Sequence, residues 1–384
     1  MKNIYLLGAT GSIGEQTIEI IEEFPNDFNL VAISGYSNIE KIIEIGSRFS
    51  LELICAKDEK DASILENVFP DVKIVHGNQG LVDLATFNND DKSSVLINAL
   101  VGMVGLKPTI EAIKIDRDIL LANKETLVVG GHLIKKLLQI HKSKLFPIDS
   151  EHNAIWQVLQ GEKAESIKQL IITASGGPFR DLHREELDKV TLKDALNHPN
   201  WSMGKKITID SATMMNKGFE IIEAAYLFDM DIDMIKPLIH RESIVHSMVE
   251  FIDNSIIAQL GSHDMRLPIS YAMFYPKRVK SLAKSLDFKT LSNLSFQEVD
   301  FNKYPLLGLA IDCFKQGGSK RTVLNAANEA AVSLFLEEKI SFIDIERIII
   351  EAVKNHLMIP NPSLEEIYKI DSLVKQQIFT EYTK

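Results

Sequence analysis

Met1-Lys2-Asn3-Ile4-Tyr5-Leu6-Leu7-Gly8-Ala9-Thr10-Gly11-Ser12-Ile13-Gly14 opens the chain, and its reading decides the fold. Ile4–Leu7 is a short apolar run of strand length, and Gly14–Phe24 carries apolar residues at helical spacing. Between them, Gly8, Gly11 and Gly14 form a GxxGxxG turn, a variant of the dinucleotide fingerprint. Glycines at such a turn let backbone approach a pyrophosphate, whose charge is then met by the amides of the helix N-terminus. The same pattern also suits a tight turn that simply packs helix on strand. The context of strand before and amphipathic helix after favours the nucleotide reading.

Working outward, the first 150 residues continue the alternation. Strands are predicted at Ile4–Leu7, Leu30–Ser34, Leu53–Ala56, Val72–Val75, Val95–Ala99, Ile119–Ala122 and Lys144–Pro147, with helical patterns at Asn38–Phe49 and Leu106–Ile115. Such alternation implies a Rossmann-like parallel sheet, hence an α/β fold. The middle region is predicted as α+β, with strands at Gln169–Thr173, Ile207–Asp210, Ser243–Phe251 and Ser255–Gln259, the last two forming a hairpin at Asp253-Asn254. Residues 286–311 lack periodicity and read as a linker. Helices follow at Thr322–Glu338, Asp344–His356 and Ser363–Phe379. The expected domains are therefore 1–149, nucleotide-binding; 150–285, catalytic; and 312–384, helical.

Composition narrows the classes. With 42 basic and 53 acidic residues in 384, the formal charge is −11, which disfavours nucleic acid and anionic membranes. Two cysteines cannot build a disulfide framework or a thiolate zinc site, and the start shows no cleavable signal pattern, so a cytoplasmic location is expected. The longest uncharged stretch, Ser93–Leu106, is too short to span a bilayer. Neither HExxH nor GxSxG occurs, which leaves zinc and serine hydrolases unsupported.

Several segments carry chemistry. After the second strand, Gly35-Tyr36-Ser37-Asn38 has no acid where an NAD site usually places one, which favours NADP; Ser37 and Asn38 could donate to a 2′-phosphate, and Lys41 follows a turn later. Ala122-Asn123-Lys124-Glu125 ends a later strand, where ligands gather in open α/β sheets, though a surface ion pair would look the same. Asp149 and Glu151, spaced i, i+2, point one way from extended backbone and suit Mg²⁺ or Mn²⁺; taken alone the motif reads better as an acidic helix start, and a third carboxylate is needed for the metal reading. Glu220 is the candidate third carboxylate. Ser211, Thr213, Asn216 and Lys217 precede an apolar helix and describe a phosphate cradle, joined by Ser175 with Gly176 and Gly177. Trp201, in Asn197-His198-Pro199-Asn200-Trp201-Ser202-Met203-Gly204, is either a loop that closes over substrate or an anchor onto the core. His183 and His356 read as solvated, and His246 as either interior or an active-site donor.

Together these residues resemble the 1-deoxy-D-xylulose 5-phosphate reductoisomerase family of the non-mevalonate isoprenoid pathway. The matching stretches are GATGSIG, LLANKE, PIDSEHNAIWQ, TASGGPFR, HPNWSMGKKITIDSATMMNKGFE, IHRESIVHSMVEF, QLGSHDMRLPI and TVLNAANEAAV, in family order along nearly the whole chain. The resemblance implies a homodimeric, NADPH-dependent enzyme with Mg²⁺, Mn²⁺ or Co²⁺, acting on a sugar phosphate, with a mobile flap near 197–204. Carried onto this chain, it implies Asp149, Glu151 and Glu220 as metal ligands, and Ser175, Ser211, Asn216 and Lys217 as the phosphate site. It implies Lys124, Ser150 and His198 as substrate contacts, with Trp201 and Met203 on the flap and His246 nearby. Gly8, Thr10, Gly11, Ser12, Ile13 and Gly14, with Ser37, Asn38, Asn123 and Glu125, are implied around NADPH. Many members carry a basic residue where this chain has Ser37, which opens the question of what holds the 2′-phosphate. Two rival readings are another NADP-linked, metal-dependent reductase and a nucleotide-sensing protein on the same scaffold.

Overall fold

The computed structural model describes every residue except Lys92, Ser202, Thr290, Thr383 and Lys384. In chain order the elements are β1 Lys2–Leu7, α1 Ser12–Glu23, β2 Phe28–Ser34, α2 Ile39–Arg48, β3 Leu53–Ala56, α3 Glu59–Val68, β4 Lys73–His76, α4 Gly77–Thr86, β5 Val95–Asn98, α5 Leu106–Lys114, β6 Asp118–Leu121, α6 Lys124–Ile140 and β7 Leu145–Pro147. They continue with α7 Ser150–Val158, β8 Ile167–Ala174, α8 Leu192–Ala195, α9 Lys205–Ala212, α10 Met215–Leu227, β9 Ile235–Ile239, β10 Val245–Phe251, β11 Ile256–Leu260, α11 Arg266–Phe274, β12 Gln297–Glu298, α12 Pro305–Gln316, α13 Lys320–Leu336, α14 Phe342–Asn355 and α15 Leu364–Tyr382. The fold is mixed α/β, and the chain separates into two compact units.

Unit 1 comprises Met1–Thr126, Leu133–Asn153 and Asp264–Lys284. Its seven-stranded sheet runs β4-β3-β2-β1-β5-β6-β7, parallel throughout. The central strands are continuous apolar runs because a parallel sheet is covered on both faces; Tyr5, Leu6, Leu7, Ile33, Ile54 and Ile97 are all buried. The helices begin where side chains accept the first amides: Asn38 caps α2, Asp58 caps α3 and Asn123 caps α6. Residues 264–284, expected within the catalytic region, pack here instead. Phe274 of α11 meets Phe24 and Phe28 edge-on at 4.8 and 4.7 Å, and Arg266 pairs with Glu19 at 3.1 Å.

Unit 2 comprises Leu127–His132, Ala154–His263 and Ser285–Lys384. Its five-stranded sheet runs β11-β10-β8-β9-β12, with β8 parallel to β9 and antiparallel to β10. The expected β10–β11 hairpin forms, turning at Asn254 with φ of 66°. The C-terminal helices belong to this same unit, and Phe342 of α14 packs edge-on against Phe179 at 5.0 Å. Two sequence expectations fail here. Ile207–Asp210, predicted as a strand from its β-branched residues, lies in helix α9. Burial of Ile209 and an i, i+4 ion pair from Lys206 to Asp210 (2.9 Å) outweigh local propensity. Residues 286–311, predicted as a linker, contain β12 and the start of α12, whose Pro305 sits in the first turn, where no amide is missed.

The opening glycines have separate structural duties. Gly8 has φ of 86°, and a Cβ there would lie 2.6 Å from the Ala99 carbonyl oxygen; a Cβ at Gly14 would collide with the Gly8 carbonyl. A Cβ on Gly11 would meet only the Gly8 oxygen, at 3.5 Å. Gly14→Ala is therefore expected to cost about 1–3 kcal/mol of stability by overpacking. Gly11→Ala should shift it by less than about 0.5 kcal/mol. Urea unfolding of the two variants checks this, and equal losses would contradict it.

Candidate active site

In unit 1 the end of β1 is pinned to β2: the Gly8 amide donates to Ser34 Oγ (2.9 Å) and the Ala9 amide to the Ser34 carbonyl (2.8 Å). Helix α1 then starts at Gly11 with no side-chain cap, and Gly11 and Ser12 are exposed. Thr10, Ser12 and Ile13 surround these first-turn amides, which leaves a site suited to an anion. Ser37 and Asn38 follow β2 and are exposed; the Asn38 side chain already accepts the Lys41 amide at 3.0 Å.

Asn123 is placed differently from a simple ligand contact. Its Nδ2 donates to the carbonyls of Leu100 (2.7 Å) and Gly102 (2.8 Å), while Oδ1 accepts the Thr126 amide (2.9 Å). The side chain thus clamps the loop after β5 to the start of α6. Lys124 and Glu125 occupy the first turn of α6, both buried, and Lys124 Nζ pairs with Asp149 at 2.7 Å. Asp149 ends the turn after β7, and Ser150 Oγ donates to Glu151 at 2.6 Å. Of the two geometries open to Asp149 and Glu151, the acidic helix start is the one that forms: α7 begins at Ser150, so Glu151 lies in a helical first turn. There its charge is stabilised by the helix N-terminus, and its oxygens remain hard donors.

Unit 2 gathers the expected phosphate residues. β8 ends at Ala174, and Gly176 and Gly177 turn with φ of 81° and 69°. A Cβ on Gly177 would lie 2.6 Å from the Ser211 carbonyl, so only glycine lets the Ser175 turn close on the end of α9. Beyond it Met214 takes left-handed backbone (φ 60°), and α10 starts with Asn216 and Lys217. Thr213, counted with the cradle, instead links the two helices, donating to the Asp210 carbonyl and accepting the Met215 amide, both at 3.3 Å. Lys217 and Asn216 both bond Glu220 on the same helix face, Asn216 at 2.5 Å. Glu220 is 1% exposed.

His198 stands beside Ser175, Nε2 to Oγ at 3.0 Å. Its Nδ1 accepts the amides of Asn200 (3.2 Å) and Trp201 (3.0 Å), so the proton sits on Nε2 and the ring donates to the serine. The Trp201 ring lies 5.3 Å from His263 and 6.1 Å from His246, which is buried on β10. Met203 is half-buried; Ser202 of the expected flap lies outside the described residues. Sequence reasoning missed two neighbours. Asn200 Nδ2 donates to the Arg241 carbonyl (2.6 Å) and Ser243 Oγ (2.7 Å), and Arg180 Nη1 donates to the Ser175 carbonyl (3.0 Å). Arg180 was visible in TASGGPFR, but its second acceptor, the Arg241 carbonyl at 3.3 Å, is far away in sequence. His356, read as solvated, is half-buried and meets Ser319 at 2.7 Å.

Burial, with Arg180 and His263 adding to it, lowers the His198 pKa to about 4. The folded ring therefore stays neutral while an unfolded one takes up a proton near pH 6.5, so this group erodes stability as pH falls from about 6.5 towards 4. The expected outcome is no titration of the His198 Cε1 resonance between about pH 8 and 5. A midpoint near 6.5 in histidine-labelled protein would contradict the lowered pKa.

The family model described as 1-deoxy-D-xylulose 5-phosphate reductoisomerase matches residues 4–131, and models of the reductoisomerase C-terminal domains match residues 145–228 and 260–377. The 1-deoxy-D-xylulose 5-phosphate reductoisomerase of Macrococcus caseolyticus is 49% identical over 377 residues, 98% of this chain and 99% of its own. That of Bacillus pumilus is 50% identical over 374 residues, 97% of each chain. A crystal structure of DOX-P reductoisomerase in complex with NADPH, fosmidomycin and magnesium superposes with a TM-score of 0.93 at 38% identity, covering 100% of this chain and 98% of the other. The Zymomonas mobilis enzyme in complex with NADPH gives 0.91 at 37% identity, covering 99% of each. The chain belongs to the 1-deoxy-D-xylulose 5-phosphate reductoisomerase family.

Proposed function

We propose that this chain converts 1-deoxy-D-xylulose 5-phosphate to 2-C-methyl-D-erythritol 4-phosphate with NADPH and a divalent metal, using the residues placed above. The observation that carries this reading is the start of α10, where a buried carboxylate, an ammonium and an amide share one helical face beside the Ser175 turn. Asp149, Glu151 and Glu220 are the proposed metal ligands. An all-carboxylate donor set suits a hard cation such as Mg²⁺ or Mn²⁺, and Glu220, buried with a compensating Lys217, has the chemistry for it. The uncapped, exposed start of α1 likewise fits a pyrophosphate. When bound, the cation supplies Lewis acidity at adjacent substrate oxygens and NADPH supplies hydride.

The protein's own groups do the rest. Ser175, Ser211, Asn216 and Lys217 hold the substrate phosphate, which is remote from the reacting carbons, so its binding energy is available to orient the substrate and close the 197–204 segment. His198, neutral with its proton on Nε2, donates a hydrogen bond to Ser175 and offers the same proton to a substrate oxygen. Lys124 and Ser150 lie against the proposed metal carboxylates Asp149 and Glu151 and fix where those oxygens point. Trp201 and Met203 exclude water, with Trp201 set against His246 and His263.

Two finer assignments accompany this. β11 is an edge strand with Ile256 and Ile257 53% and 44% exposed, an apolar edge of the kind a homodimer would cover. Among the described residues no helix is long and apolar enough to cross a membrane, and a cytoplasmic location fits the two free, buried cysteines.

NADPH absorbance, followed with 1-deoxy-D-xylulose 5-phosphate in the presence and absence of Mn²⁺, tests the function; oxidation that is indifferent to the metal would sink it. Glu220→Gln should lower kcat by at least about 10²-fold with the protein still folded, and near-normal turnover at saturating Mn²⁺ would remove Glu220 from the ligand set. Trp201→Ala should lower kcat/KM by roughly 10-fold or more through looser closure; unchanged steady-state constants would exclude that role.

A further inference from the structure

Three strands in, the chain has an exposed cation that its own sequence neighbourhood does not explain. β2 and β3 pair in parallel with Ser34 opposite Cys55, and the Gly35 amide donates to the Cys55 carbonyl at 3.2 Å. Two residues further along each strand stand Tyr36 and Lys57. Lys57 Nζ lies 5.2 Å from the centre of the Tyr36 ring, which is itself 70% exposed. Ser37 and Asn38, also exposed, follow directly.

The end of the second strand is where a dinucleotide fold reads the ribose 2′ position. No acid stands there, so a 2′-phosphate would meet no repulsion from Gly35-Tyr36-Ser37-Asn38. Of the two lysines near this point, Lys41 is already neutralised: its Nζ lies 3.1 Å from Glu44 and 3.6 Å from Glu15. Among the described residues Lys57 has only the looser Asp58, at 3.9 Å. The Asp58 carboxylate is in turn engaged in capping α3 through the Asp61 amide (3.0 Å). An ammonium held over an exposed aromatic face, next to a hydroxyl, combines charge for a phosphate with a flat apolar surface for a base.

We infer that Lys57, delivered from β3 beside Tyr36 and Ser37, supplies the positive charge that selects a 2′-phosphorylated dinucleotide in this chain. The inference rests on the dinucleotide reading proposed above. Lys57 is thus the specificity-determining cation, and Ser37 adds a neutral donor where a basic residue is absent.

Calorimetric titration of the full chain with two fragments, adenosine 2′,5′-bisphosphate and adenosine 5′-phosphate, tests this without turnover. For Lys57→Ala the bisphosphate should weaken by about tenfold or more, the loss of one charge-assisted contact, while the monophosphate is unchanged. Lys57→Arg should retain the bisphosphate, and Lys41→Ala should change neither ligand by more than about twofold. Unchanged bisphosphate affinity in Lys57→Ala, an equal loss of both fragments, or a selective loss in Lys41→Ala instead would each overturn the inference. Wild-type protein that binds neither fragment would overturn the dinucleotide reading itself.

Discussion

The site in unit 2 depends on one buried charge arrangement at the start of α10. Taking a carboxylate such as Glu220 out of water costs several kcal/mol unless opposite charge and hydrogen-bond donors travel with it. Lys217 and Asn216 meet that requirement from one helical turn away, so the compensation is built into a single element. This is why the sequence places amide, lysine and glutamate at i, i+1 and i+4 rather than scattering them. In the proposed assignment the same ammonium and amide would face a substrate phosphate and a metal-ligating carboxylate at once, which would couple anion and cation binding through Lys217.

Around that helix the supporting pieces are backbone geometry. Gly177 lets the Ser175 turn approach α9, Met214 bends the chain into α10, and Asn200 ties the Trp201 loop to the 241–243 segment. His198 connects the two parts: its neutral ring is oriented by two loop amides on one side and Ser175 on the other. Unit 1 works by the same means, since Gly8 and Gly14 close the turn and Asn123 clamps the loop after β5. Both units offer amides, hydroxyls and single lysines, the proposed means by which an acidic chain accommodates a dinucleotide and a sugar phosphate.

Much of this was legible in the sequence. The seven strands of the parallel sheet were each marked by an apolar run, and the glycine turn after Leu7 marked the junction of β1 and α1. The donors before α10 stood out because polar side chains that dense before an apolar helix have few structural uses. What escaped had non-local causes. Ile207–Asp210 carried strand propensity that packing overrode, and α12 hid in a segment whose only start signal was Pro305. Asn200 and Arg180 were in plain view, but both reach the Arg241 carbonyl, which is distant in sequence, as is Tyr36 from Lys57.

The central claim is that a carbon skeleton is rearranged and reduced on one site, which separates this chain from an ordinary NADP-linked reductase. The most direct measurement is carbon NMR of the product formed from ¹³C-labelled 1-deoxy-D-xylulose 5-phosphate with NADPH and Mn²⁺. The account predicts the branched 2-C-methyl-D-erythritol 4-phosphate, one molecule for each NADPH consumed. A straight-chain sugar-alcohol phosphate would contradict it, as would NADPH consumption without a branched product.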